Sequence, residues 1–154
     1  MSGRLPRAAV IAVSIGVLTI GAAVLLVPSS PGNAAARADG VLGPGVVTVQ
    51  LDVHHSHFTP SFVRVRPHTE VRFEVVNRDP IGHELIVGDA AVHARHELGT
   101  EPTHPPRPGE VSVAAHSRAS TTYVFHEPGT VVYACHLPGH FAYGMHGRVV
   151  VTPA

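Results

Sequence analysis

Lysine and tryptophan are absent from this chain of 154 residues, and cysteine occurs once, as Cys135. Each scarcity excludes something. A single thiol cannot close an internal disulfide, so the cysteine has to be explained by other chemistry. Without tryptophan, and with five phenylalanines and three tyrosines, a core must be built mostly from valine, with some isoleucine, leucine and phenylalanine. The eleven basic residues are all arginine and are matched by eleven acidic ones, so the formal charge is zero. That balance offers no electrostatic footprint for nucleic acid or for an anionic membrane surface. Histidine is abundant instead, at thirteen residues, which warns against reading every imidazole as functional.

The first residues read as a targeting segment. Arg4 and Arg7 precede an uncharged apolar run over residues 8–27, which Pro28, Pro31 and Gly32 break. A basic flank, an apolar centre and small residues with Ala34-x-Ala36 as a cleavage site describe a secretory signal. A run of about 20 residues is also long enough to span a bilayer, so an uncleaved N-terminal anchor with its basic end inside is the alternative. Either way, residues 37–154 are expected outside the cytoplasm, periplasmic, extracellular or anchored facing outward. The expected organisation is a signal or anchor over 1–36, a Pro- and Gly-rich linker over 37–45, and one domain over 46–154.

Within that domain the pattern is of short strands. Val47, Val49, Leu51 and Val53 alternate with polar residues, as do Val71, Phe73 and Val75, the period-2 signature of half-buried strands. Further runs cover 62–66, 84–87, 111–114, 121–125, 131–135 and 147–152. Asp89 is placed to cap a short helix over 90–98, which Gly99 and the Pro-rich stretch 102–109 end. Seven to eight short runs between turn residues, rich in Val and Thr, predict an all-β Greek-key sandwich or small barrel with a helix or loop insertion near 89–110.

Chemistry concentrates in the last two strands. Residues 131–135 end a strand at Cys135, Pro138-Gly139 and Gly144 force a compact loop, and residues 149–151 lead back as a strand. The loop carries Cys135, His140 and Met145 at the spacing C-x4-H-x4-M. Thiolate, imidazole and thioether form a soft to borderline donor set that suits copper, and one more imidazole would complete the trigonal His2Cys arrangement with a weak axial Met of electron-transfer sites. His83, held between the turn formers of residues 77–82 and the strand that follows, is the residue favoured by position for that role. His54, His55, His57, His68, His93 and His96 lie in loops or near strand starts. His54, His55 and His57 form one further cluster, and His93, His96 and Glu97 share a face of the expected helix; a solvated face is the simpler account of both.

These segments resemble the cupredoxin family, the small blue copper proteins of the plastocyanin, azurin and rusticyanin kind. His57-Phe58-Thr59-Pro60-Ser61-Phe62-Val63-Arg64-Val65 is similar to the family's opening run, and the strand ending at Asn77 followed by His83 is similar to its first-ligand segment. Cys135-His136-Leu137-Pro138-Gly139-His140 with Gly144-Met145-x-Gly147 is similar to its ligand loop, the spacing looking closest to rusticyanin-like members. The segment from His83 to Asp89 is similar to plastocyanin-like proteins linked to copper resistance. One departure is His68, where the family usually has a turn glycine. The resemblance implies one type 1 copper per chain, held by His83, Cys135, His140 and Met145, and no enzymatic activity. It further implies single-electron transfer as a monomer, with a cytochrome or oxidase partner docking near His140. Asn77 is a candidate for tying the two ligand segments together. The alternative is copper sequestration, resistance or delivery outside the cytoplasm without redox turnover. The count of one cysteine excludes a binuclear copper centre, which needs two in the loop.

Overall fold

The alternating valines become the inner faces of a β-sandwich. The computed structural model describes residues 40–99, 103 and 105–153. The expected signal or anchor over 1–36 lies outside the described residues. The strands are β1 (Val41–Leu42), β2 (Gly45–His54), β3 (His57–Thr59), β4 (Phe62–Val65), β5 (Thr69–Asn77) and β6 (His83–Gly88). A helix, α1 (Ala90–Glu97), separates these from β7 (Glu110–Val113), β8 (Arg118–Phe125) and β9 (Gly129–Ala134); a single helical turn, α2 (His140–Tyr143), precedes β10 (His146–Val151).

One sheet has the order β3-β2-β5-β8 and the other β1-β4-β10-β9-β6-β7. Both are mixed: β2 runs parallel to β5, and β10 parallel to β4, while β9 and β10 pair antiparallel. Val49, Leu51 and Val53 of β2 and Val71, Phe73 and Val75 of β5 are fully buried between the sheets. They meet Val63, Val65, Leu85, Val111, Tyr133 and Val149 from the other side. Each such valine stabilises the fold by roughly 1.5–3 kcal/mol relative to its exposed state.

The eight expected strand runs are all present, and two more join them. β1 and β3 are only two and three residues long, too short to show periodicity; Phe58 is the one buried side chain of β3. β1 falls within the stretch read as linker and pairs with Arg64 and Val65 of β4. His68, which departs from the usual glycine, does adopt a left-handed backbone with φ 60°.

α1 forms where expected, with the Asp89 carboxylate accepting the Val92 N–H at 2.9 Å. It packs on the outer face of β6, where Gly88 lies so close beneath Val92 that a Cβ there would come within 2.7 Å of it. This explains why all six residues of β6 are buried, although only one face of the strand meets the core. The helix itself buries no residue and is held largely by polar contacts. Glu110 gathers Arg95, Arg107 and His96 at 3.0–3.5 Å.

Candidate metal centre

The ligand loop is closed by its own backbone. Cys135 N–H donates to the Met145 carbonyl at 3.1 Å, and Met145 N–H to the His140 carbonyl at 3.0 Å. Between them, α2 makes one turn bracketed by Gly139 at φ 82° and Gly144 at φ 104°, left-handed positions that strain any residue with a Cβ. The compact loop expected from Pro138-Gly139 and Gly144 is therefore built around a helical turn.

The opposing segment is braced by Asn77, whose Nδ2 donates to the Ile81 and Ala114 carbonyls at 2.7 and 2.9 Å. Its Oδ1 accepts the Asp79 N–H at 2.9 Å. These bonds fix the turn that delivers His83 to the start of β6. The bridge between the two ligand segments is made instead by Glu84, a buried residue whose Oε1 accepts the His136 N–H at 2.7 Å.

Three donor atoms converge. His83 Nδ1 and Cys135 Sγ each lie 3.3 Å from His140 Nδ1, and a ligand atom of each residue lies within 4.8 Å of those of the other two. Among the described residues this is the only such group of histidine, cysteine and acidic side chains. His83, Cys135 and Met145 are buried, and His140 is half-buried. All four residues singled out in the sequence are thus at one pole of the sandwich. His54, His55, His57, His93 and His96 do not join the cluster. His57 packs edge-on to Tyr143 with centroids 5.3 Å apart.

Burial sets the protonation of the donors. Burial pushes the Cys135 thiol up to about 11, against weaker help from the Glu84 and Leu137 N–H groups, and the Glu84 charge raises it further. A thiolate in this position therefore requires a cation beside it. Burial also holds His83 below the usual histidine value; its hydrogen bond to the Asp79 carboxylate opposes this, while the His140 ring adds to it. The shift is toward the neutral ring, the form that ligates metals. Its Nε2 lies 2.9 Å from Asp79 Oδ2, which leaves the Nδ1 lone pair toward the other donors.

His136 points to the opposite face of the strand from Cys135, as alternation requires. Its Nε2 meets His93 Nδ1 at 2.8 Å, and Phe141 stacks on the ring with centroids 5.2 Å apart. Burial, then the His93 and His96 charges, pull it down to about 4. The insertion therefore leans on the back of the ligand loop through His93, whose Nε2 also reaches the Val132 carbonyl at 3.2 Å.

Asp79 and Glu84 were not singled out from the sequence. A carboxylate four residues before His83 was the available signal for Asp79. Glu84 was hidden because its cover comes from α1, which packs on the outer face of β6.

A sandwich whose closed loop carries a cysteine, a histidine and a methionine, met by a second histidine from a neighbouring strand end, defines a small copper protein. Residues 46–152 match the family model for copper binding proteins of the plastocyanin/azurin family, and the chain belongs to that family: it is a cupredoxin. Among solved structures it is similar to auracyanin B, with 24% identity, a TM-score of 0.58, and coverage of 75% of this chain and 96% of that one. Auracyanin from Roseiflexus castenholzii gives 19% identity and a TM-score of 0.58 over 69% of this chain and 97% of that one. Auracyanin A, a blue copper protein from Chloroflexus aurantiacus, gives 21% and 0.57 over 70% and 100%. These likenesses show the shared fold. No curated protein matches the chain. Membership of the family, together with a thiol, two imidazole Nδ1 atoms and a buried thioether, fits a single type 1 copper as the cofactor.

Proposed function

We propose that the protein carries single electrons between redox partners outside the cytoplasm, without enzymatic turnover, and that His83, Cys135, His140 and Met145 hold its copper. The observation that carries this is the convergence of His83 Nδ1, Cys135 Sγ and a His140 ring nitrogen within 4.8 Å. When bound, the copper supplies a reversible one-electron Cu(II)/Cu(I) couple.

The chain contributes fixed donors and exclusion of water. Its ligand loop is self-bonded, and its first-ligand turn is braced by Asn77, so little rearrangement is available between oxidation states. Cys135 and Met145 are fully buried, which keeps solvent from the thiol side. His140 is the donor nearest the surface, and Phe141 and Tyr143 of the same turn are exposed at 40% and 66%. That apolar collar suits brief docking of a cytochrome or oxidase. Export by the N-terminal segment, cleaved or retained as an anchor, would put this monomer where such partners exchange electrons.

The test is electron exchange between the copper-loaded protein and a soluble cytochrome, together with copper stoichiometry. One copper per chain with fast, reversible exchange is the expected result. Several coppers with sluggish exchange would overturn it in favour of sequestration or delivery.

A further inference from the structure

We propose that Asp79 is a positioning residue of the copper site. Its buried carboxylate fixes His83 as the tautomer that offers Nδ1 to the metal, and its negative charge favours oxidised over reduced copper. This rests on the assignment of His83 as a ligand.

Asp79 is 5% exposed and is pinned from every side. Its N–H donates to Asn77 Oδ1 at 2.9 Å, and its carbonyl accepts the His116 N–H at 3.1 Å. Oδ1 accepts the His55 N–H at 2.7 Å, while Oδ2 accepts the Ser56 N–H at 2.8 Å and faces His83 Nε2 at 2.9 Å. His55 and Ser56 both have positive φ, at 51° and 55°, and this turn between β2 and β3 aims two successive N–H groups at the carboxylate.

A carboxylate has no proton to give, so His83 Nε2 must carry the hydrogen and Nδ1 must carry the lone pair. Moreover, no arginine stands beside the charge among the described residues: its oxygens meet two backbone N–H groups and the His83 imidazole. The neighbouring Arg78 is turned to Asp52 instead, with its Nε 2.8 Å from Oδ1. Reduction adds one electron from the donor protein and removes one positive charge from the metal, with no proton transferred. An unneutralised carboxylate one imidazole away therefore stabilises the oxidised state more than the reduced one.

The discriminating variant is Asp79→Asn. With its oxygen in the place of Oδ2, the substituted amide keeps the bonds to Ser56 and His83, loses the one to His55, and abolishes the charge. The copper-loaded variant is expected to remain blue with a higher reduction potential. A tenfold shift in the Cu(I):Cu(II) preference corresponds to about 59 mV for a one-electron couple. An intact visible band at an unchanged potential would overturn the charge role. The tautomer is read separately on the copper-free wild type by 15N NMR of the His83 ring, whether or not the variant folds. A protonated Nε2 and bare Nδ1 are expected, and a main form protonated at Nδ1 would overturn the positioning role. Failure of the ligand assignment is distinguishable, because the thiolate-to-copper band would then survive in His83→Ala.

Discussion

Alkaline titration of the copper-free protein probes the burial of Cys135 directly. Its thiol is raised from 9.0 to about 11 in the folded state, whereas the unfolded chain keeps the ordinary value. Between those values the folded state holds a proton that the unfolded state has lost, so stability falls as pH rises. The contribution is fully present below pH 9 and lost as pH climbs through 11. Two pH units at 1.36 kcal/mol each give about 2.7 kcal/mol, most of it gone by pH 11.5. Urea unfolding at pH 8 and pH 11.5, followed by circular dichroism, measures this in the wild type and in Cys135→Ser. Tyr133 is also buried and raised, but it is common to both proteins and cancels in the difference. The wild type should lose about 2.7 kcal/mol more than the variant over that interval. Equal losses would refute the claim that the thiol is desolvated. Below pH 9 the same protonated thiol must surrender one proton to a metal, so copper affinity should rise about tenfold per pH unit.

Two other substitutions separate hydrogen bonding from packing. Glu84→Ala leaves the His136 N–H without its acceptor and should cost about 1–3 kcal/mol, whereas Glu84→Gln, which keeps an oxygen there, should cost less than about 1 kcal/mol; equal losses in urea unfolding would contradict the bridging role. Gly147→Ala would put a Cβ 2.3 Å from the Tyr133 ring, which is fully buried and tied by its hydroxyl to the Pro60 carbonyl at 2.7 Å. Such overpacking costs about 1–3 kcal/mol, read as a lower thermal midpoint of the copper-free protein.

How far the sequence could be read depended on how each residue carries its signal. Val49, Leu51, Val53, Val71, Phe73 and Val75 announce their strands because a two-residue period is a local property. The donors Cys135, His140 and Met145 sit in one loop, so their spacing and the flanking glycines are visible without tertiary structure. His83 required only its place at a strand end. Asp79 and Glu84 were not legible because their roles depend on distant partners. The turn at His55 and Ser56 lies more than twenty residues before Asp79, and the cover over Glu84 comes from the packing of α1. Asn77 was recognised as a brace, but it braces its own turn and the carbonyl of Ala114 rather than the ligand loop. β1 and β3 are defined by their pairing with β4 and β2, which no local pattern reports.

The central claim is that one cysteine-centred copper site is built from residues of both ligand segments. Titrating Cu(II) into the copper-free protein while recording the visible spectrum tests it most directly. An intense thiolate-to-copper band should appear and saturate at one copper per chain, and it should vanish in both Cys135→Ser and His83→Ala. Absence of the band in the wild type, or its survival in either variant, would contradict the account.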